Sequence, residues 1–332
     1  MVNWGILGLG NMGNKFATAI KEIDNAKLIS VASLDKSRLN KFQKDHEIKK
    51  ENCFNNYNQI LESKNIDAIY ISSLNNTHFD LVMKAIEQKK HILCEKPMSI
   101  DSIEAKTIFD ELKKTNILFS EAFAYRTHPQ SKTLYNLIKK NIIGKINKVE
   151  ISFGFESKRE DPNSRLFKKE FGGGSILDVG CYTSSLCLFI VNAIGTDDIA
   201  KFKINNIKGS FASTGVDSSA YANLIFNEDL MMDIKCSVKQ DMLNNCIIVG
   251  SKGKLIVPSP WLPEIKSYIE IHIGQDYYKK FTTSKFSIYA NQIYSFSNKI
   301  LNNDGENSDL LMTYKESLIN MKIIDKWIEG IN

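Results

Sequence analysis

The stretch "NWGILGLGNMG", residues 3–13, runs an apolar strand into Gly8, Gly10 and Gly13 and then into an amphipathic segment. A G-x-G-x-x-G set between strand and helix meets three demands: a tight turn, close backbone approach to a pyrophosphate, and close helix–strand packing. The helix start at Asn11 and Met12 offers unpaired N–H groups and the positive end of a dipole to phosphate oxygens. A plain packing turn, or the glycine loop of a methyltransferase, can carry the same letters. Position separates these readings: the motif begins at residue 8 and heads a strand–helix–strand unit ending at Ala32-Ser33. That context predicts a dinucleotide site.

Working outward, short and nearly all-apolar runs recur at 27–33, 67–73, 91–95 and 117–123, the pattern of strands buried on both faces. Amphipathic stretches at 12–22, 77–90 and 101–115 lie between them. Alternation of this kind predicts an α/β unit, a doubly wound parallel sheet of Rossmann type, over 1–122. After about residue 145 the strands at 146–157, 221–227, 231–240, 245–251, 253–258 and 268–274 alternate apolar with polar. They predict an α+β second domain over 123–305 with a large, mostly antiparallel open sheet. One strong helix, 175–193, interrupts it behind Gly172-Gly173-Gly174. A last helix, about 308–329, is expected to bring 306–332 back onto the first domain.

Composition narrows the function classes. The 332 residues carry 43 basic and 38 acidic side chains, a net charge of +5 that is scattered in Lys doublets. Such doublets read as solvated faces, so no nucleic-acid partner is expected. The six cysteines show neither C-x-x-C nor zinc spacing, and no metal site is expected. With no signal peptide or apolar run of spanning length, reduced thiols predict a cytoplasmic protein without a membrane partner. Arg38, Arg126, Arg159 and Arg165 are the only arginines in a Lys-rich chain. Each is a candidate for a fork-shaped contact that Lys cannot make, or a chance surface residue.

The end of the second strand bears on cofactor choice. Ser33 stands where an NAD binder places its ribose-holding acid, with Asp35 two residues on and Lys36 and Arg38 following. A serine beside Lys and Arg suits a 2′-phosphate, whereas Asp35 folded inward suits NAD. NADP is the expected cofactor and NAD the second choice.

"HILCEKP", residues 91–97, delivers Lys96 to the carboxyl edge of the parallel sheet, where ligands of open α/β folds sit. Alone, Lys96 reads as a strand-end lysine reaching solvent. It acquires another reading beside "GLGNMG" (8–13), "SSLNNTH" (72–78), "EAFAYRTHP" (121–129), "GGGSILDVGCY" (172–182) and "GSKGKLIVPSPWLP" (250–263). With these motifs the chain resembles, nearly end to end, the glucose-fructose oxidoreductase / inositol dehydrogenase / rhizopine-catabolism family (Gfo/Idh/MocA) of NAD(P)-dependent sugar and polyol dehydrogenases. Its later blocks are most similar to the trans-dihydrodiol and D-xylose dehydrogenase branch. Two residues depart from the pattern: Leu74, where the family often has Pro, and Leu34, where NADP-using relatives often have Arg.

The resemblance implies roles. Lys96, Asp178 and Tyr182 match the family's catalytic residues, with Tyr182 as acid/base and Lys96 the cation that favours its phenolate. Spacing puts Asp178 and Tyr182 at i and i+4 on one helix face; the competing reading is a buried pair that anchors the helix. The bond before Pro97 is often cis in this family. Cofactor contacts are expected from Glu95 and Lys96, from Ser72, Ser73 and Leu74, and from Asn75 and His78, although His78 also suits a plain helix start. Arg126, Arg165 and Trp261 are candidate substrate contacts; the arginines equally suit interdomain anchors, and Trp261 a cap on the sheet.

The expected function is therefore hydride transfer between nicotinamide and a hydroxyl or carbonyl of a sugar, polyol or cyclic diol. The alternative is a non-catalytic nucleotide-sensing or binding protein of the same fold. The resemblance also implies a homodimer or homotetramer through the second sheet, whose strands "CIIVGS", "KLIVP" and "IEIHI" are expected to supply an apolar outer face.

Overall fold

A computed structural model describes residues 1–195, 198–226, 230–302 and 310–331. The chain forms two compact units: Met1–Ser99, Ile103–His128 and Lys285–Lys315 in the first, and Ile100–Ser102, Pro129–Ser284 and Glu316–Asn332 in the second.

The first unit is built on six parallel strands, β1 (Val2–Leu7), β2 (Ala26–Ala32), β3 (Cys53–Phe54), β4 (Ala68–Ile71), β5 (His91–Cys94) and β6 (Phe119–Glu121), in the order β3-β2-β1-β4-β5-β6. The order reverses between β1 and β4, which opens the crevice where such sheets bind ligands. Helices α1 (Asn11–Ala19), α2 (Lys36–His46), α3 (Tyr57–Leu61), α4 (His78–Glu87) and α5 (Ser102–Leu112) connect the strands. Trp4, wholly buried on β1, packs edge-on to Phe16 of α1 at 5.2 Å.

A late helix, α8 (Ile288–Ile300), closes the first unit's core. Its Phe296 lies 5.3 Å from Trp4, whose indole N–H donates to Ser297 Oγ at 3.1 Å. Ser287 caps its N-terminus, and Glu22 accepts from the Ser287 N–H at 2.8 Å and hydroxyl at 2.6 Å. The expected division gave this helix to the second domain, because nothing local in 285–300 distinguishes one apolar core from another. The expected 305/306 boundary and residues 308–309 of the expected last helix lie outside the described residues.

The second unit holds an eight-stranded sheet in the order β14-β13-β12-β11-β7-β10-β9-β8. Its strands are β7 (Ile146–Gly154), β8 (Phe202–Phe211), β9 (Asp217–Phe226), β10 (Leu230–Ser237), β11 (Asn245–Gly250), β12 (Gly253–Pro258), β13 (Lys266–Ile273) and β14 (Asp276–Thr283). All neighbours are antiparallel except β7 and β10. The six strands expected between 146 and 274 recur here as β7, β9, β10, β11, β12 and β13, while β8 and β14, strongly polar in sequence, escape the alternation rule. Helices α6 (Pro129–Lys139), α7 (Cys181–Ile194) and α9 (Tyr314–Ile331) complete the unit, α9 from Glu316 onward. The helical stretch Lys169–Ile194 is apolar enough to span a membrane, but 94% of its apolar window is buried inside the protein, as a core helix requires.

The sheet's outer face departs from expectation. Ile269 and Ile271 of "IEIHI" are wholly buried on the inner side, which leaves Glu270 and His272 to face outward. Only Ile247, Val249 and Ile256 of the three quoted strands point out, beside a Lys148–Glu150 ion pair at 2.6 Å. Period-2 alternation allots each isoleucine to one face, and most are used in the core. Depressions of about 490 and 380 Å3 lie on this outer face, walled by Lys208, Tyr221 and Lys235 in one and Glu150, Asp233 and Leu243 in the other.

Candidate active site

The glycine loop in the first unit is shaped for a phosphate group. Gly8 has φ +97°, and a Cβ there would stand 2.7 Å from the Ser72 carbonyl carbon and the Ser73 nitrogen. A Cβ on Gly13 would meet Gly8 O at 2.7 Å, so both glycines are required by close approach. Gly10 differs: nothing lies within 4 Å of its missing Cβ. That open space stands at the N-terminus of α1, where Asn11, Met12 and Gly13 begin the helix with no side-chain cap and no acid in the first turn. A pyrophosphate fits a cradle of this kind, with unclaimed N–H donors and no competing carboxylate.

At the end of β2, Ser33 is buried and its N–H donates to Phe54 O at 3.1 Å. Asp35 is committed elsewhere: it is the N-cap of α2, and its Oδ1 accepts the Arg38 N–H at 3.0 Å. The inward swing that would suit the ribose of NAD is thus not the conformation present. Leu34, Lys36 and Arg38 are exposed around Ser33.

The loop after β4 and the turn after β5 are tied together. The Ser72 hydroxyl donates to Gly8 O at 2.7 Å, and Ser73 and Thr77 share a hydroxyl contact at 2.7 Å. His78 is 0% exposed, with Nδ1 2.8 Å from Pro97 O and Nε2 3.3 Å from Ser73 O. Both ring nitrogens thus brace the loop between Ser73 and Pro97. Asn75 is likewise buried, whereas Leu74 is exposed beside it.

Lys96, half-buried, follows β5 on a cis bond to Pro97. Glu95 before it is buried and accepts the Tyr70 hydroxyl at 2.5 Å, and Tyr70 stacks on Phe16 at 4.2 Å. Glu121, also buried, accepts the Met98 N–H at 3.0 Å. Sequence reasoning assigned no role to Tyr70 or to Glu121, the first residue of "EAFAYRTHP"; their contacts become visible only when β4, β5 and β6 align. Arg126 is 3% exposed and its Nε donates to Leu310 O at 3.0 Å. That bond ties it within the first unit.

In the second unit the triple glycine permits close backbone packing. A Cβ on Gly173 would meet the carbonyls of Arg165, Leu166 and Lys168 at 2.8 to 2.9 Å. The loop so held brings Arg165 Nη1 to 3.1 Å from Asp178 Oδ1. Asp178 lies inside a π-helical turn, Ile176–Gly180, and Tyr182 opens α7 just beyond it. The i, i+4 expectation assumed regular α-helix; the π-turn alters the ladder through Asp178, a feature found mostly at functional sites. Thr183 Oγ1 donates to Gly180 O at 2.7 Å, which helps satisfy carbonyls that the wider turn leaves.

Tyr182 stands edge-on to Phe153 at 5.3 Å and to Trp261 at 5.8 Å, while Phe153 and Trp261 stack at 5.2 Å. Trp261 is 3% exposed and its indole N–H donates to Ser152 O at 3.3 Å. It packs against both Phe153 and Tyr182. Among the described residues no group of three His, Cys, Asp or Glu could hold a metal ion.

Comparison with known proteins places these features. Residues 2–123 match the family model "Oxidoreductase family, NAD-binding Rossmann fold", and residues 131–256 match the "GFO/IDH/MocA C-terminal domain". A trans-1,2-dihydrobenzene-1,2-diol dehydrogenase of Xenopus tropicalis is 27% identical over 263 residues, covering 78% of this chain and 76% of the relative. The Mus musculus enzyme of that name is 24% identical over 285 residues, covering 83% and 82%. A 3-ketoreductase from Actinomadura kijaniata, solved with NADP and TDP-benzene, superposes with TM-score 0.83 at 19% identity, covering 98% of this chain and 96% of its own. An aldose-aldose oxidoreductase from Caulobacter crescentus, solved with glycerol, gives TM-score 0.87 at 17% identity over 99% and 97%. At these identities the two structures establish the fold.

Proposed function

From the premise that this chain belongs to the GFO/IDH/MocA family of oxidoreductases, we propose that it is an NADP-dependent dehydrogenase or reductase acting on a sugar, polyol or cyclic diol, with NAD as second choice. The observation that carries the reading is the uncapped, acid-free start of α1 beside the open Gly10. Asp35, engaged as the α2 cap, supports NADP, because Ser33 and Arg38 then remain for a 2′-phosphate.

The bound nicotinamide would supply or accept the hydride. The chain's own residues would handle the proton and the oxygen. Tyr182 would give a proton to the developing alkoxide, or take it from the hydroxyl in the reverse direction. The Lys96 ammonium would stabilise negative charge on that oxygen. Asp178 would accept hydrogen bonds from substrate hydroxyls, with Arg165 holding its other side. A homodimer or tetramer would use the outer sheet face, where Ile247, Val249 and Ile256 offer a smaller apolar surface than the sequence led us to expect. A reducing, cytoplasmic location accords with six free cysteines.

The test is titration of the purified protein with NADPH and with NADH, followed by nicotinamide fluorescence, then a panel of sugars, polyols and trans-diols. NADPH preference with turnover on the panel is the expected result. Binding without turnover on any of them would favour a nucleotide-sensing protein, and binding of neither nucleotide would sink the oxidoreductase reading.

A further inference from the structure

We propose that Asp217 is a positioning residue that fixes the π-turn carrying Asp178 and so sets how Asp178 and Tyr182 are presented; the proposal rests on the roles given to those two residues above. Asp217 is the first residue of β9 and is 7% exposed. Its Oδ2 accepts the Ser175 hydroxyl at 2.6 Å and the Ile176 N–H at 2.7 Å, the two residues at which the helical turn begins. Its Oδ1 occupies space that exists only because residue 174 is glycine: a Cβ there would stand 2.2 Å away, and φ is +118°.

The far end of the turn is fixed as firmly. A Cβ on Gly180 would lie 3.1 Å from both Cys236 Sγ and the Trp327 ring. Thr183 and Ser184 direct their hydroxyls at Gly180 O, at 2.7 and 3.3 Å. Asp178 therefore sits midway along a five-residue turn that is held at both ends. Such turns are uncommon, and one persists only where its surroundings over-determine it. Without the Asp217 clamp the Ile176 N–H loses its tie to β9, and the Ser175 hydroxyl keeps only the weaker contact with Cys236 Sγ of β10 at 3.5 Å. The turn can then relax to α-helical spacing, which rotates Asp178 relative to Tyr182.

A buried acid is a costly way to tie a helix to a sheet. Burial pushes the Asp217 carboxyl above its ordinary range, against the hydrogen bonds from Ser175 and Ile176. An apolar residue would hold the two elements together at less cost, but it could not specify which N–H of the turn is bound. Specification of register is what the carboxylate adds.

The experiment follows Tyr182 itself, without reliance on turnover. In full-length protein with ring-labelled 13C-tyrosine, the Tyr182 signal is assigned by its loss in Tyr182→Phe. The Phe153 and Trp261 rings shift that signal and make it sensitive to orientation. Asp217→Ala and Gly174→Ala are expected to move or broaden it while the Tyr70 signal stays in place. Asp217→Asn keeps one acceptor oxygen and is expected to restore it. On a substrate found by the panel, Asp217→Ala should lose tenfold or more in kcat, since displacement by about 1 Å can cost on the order of 10²-fold. Its NADPH affinity should hold within about twofold, as expected of a change confined to the chemical step.

An Asp217→Ala protein with unmoved Tyr182 signal would overturn the proposal. If that variant fails to fold, Ser175→Ala removes one bond and leaves the Ile176 tie; a smaller shift in the same signal supports the proposal, and an unmoved signal overturns it. If the wild type turns over no substrate, the functional reading fails, while the spectrum still decides whether Asp217 positions Tyr182.

Discussion

Arg165 Nη1 donates to Asp178 Oδ1 at 3.1 Å, with the arginine side chain 51% exposed and the aspartate 9%. A guanidinium at the surface thus holds a nearly buried carboxylate by its Oδ1. The pair lies wholly within the second unit. Its stabilising worth is small because the cation is solvated, yet its directional worth is not. Arg165→Ala should cost about 0.5 kcal/mol of stability or less. Turnover should fall about tenfold or more if Asp178 orients substrate. Arg165→Lys should recover only part, because lysine lacks the planar fork. Denaturation midpoints and kcat/KM, measured together, check this.

Lys96→Ala should abolish most turnover, by 10²-fold or more if the ammonium stabilises the reacting oxygen. Nucleotide binding through the Gly8–Gly13 loop should persist, because that cradle consists of backbone groups. Fluorescence titration beside steady-state rates separates the two. Loss of both together would make Lys96 a cofactor ligand instead.

Tyr182→Phe should lower kcat with little effect on stability, since the ring keeps its edge contacts with Phe153 and Trp261. Trp261→Ala should act on both: it removes the 5.2 Å stack with Phe153 and a buried aromatic worth about 3–5 kcal/mol. Thermal melts and rates of the two variants should therefore separate cleanly.

Asp35→Ala removes the α2 cap and should cost about 1 kcal/mol. It should not reverse the nucleotide preference, because the carboxylate is committed to the Arg38 N–H. Arg38→Ala should instead weaken NADPH and leave NADH nearly unchanged. Competition titrations with both nucleotides decide it; an NADH-preferring wild type that loses NADH on Asp35→Ala would reverse the assignment.

Glu160 carries a pH prediction. Hydrogen bonds from Lys239, then from the Ser213 N–H and hydroxyl, hold its carboxyl down at about 2, from an ordinary 4.5. A lowered carboxyl pKa stabilises the fold above the unfolded value and loses that contribution as pH falls from 4.5 toward 2. Glu160→Gln should flatten the acid limb of the stability curve in that window alone. Because the carboxylate is only partly buried, with its side chain 25% exposed, the difference should shrink at 1 M salt.

The sequence by itself determined the alternation that makes the first sheet parallel, the glycine loop and the strand that ends at Lys96. These are local facts: a period of two or 3.6, a turn that only glycine can make, and a strand end fixed by the residues next to it. It also marked Asp178 and Tyr182 through the motif they share.

Tertiary structure decided what each side chain is committed to. Nothing in the local sequence shows that His78 Nδ1, Arg126 Nε and the Trp261 indole N–H meet Pro97 O, Leu310 O and Ser152 O, all distant in the chain. Asp35 could serve a ribose or a helix, and its own backbone neighbourhood settled it as a cap. Asp217 had no signal at all, because its partners Gly174, Ser175 and Ile176 lie some forty residues away. Hydrogen-bond partners set by folding, rather than residue type, separate a binding group from a brace, and a one-dimensional pattern does not contain them.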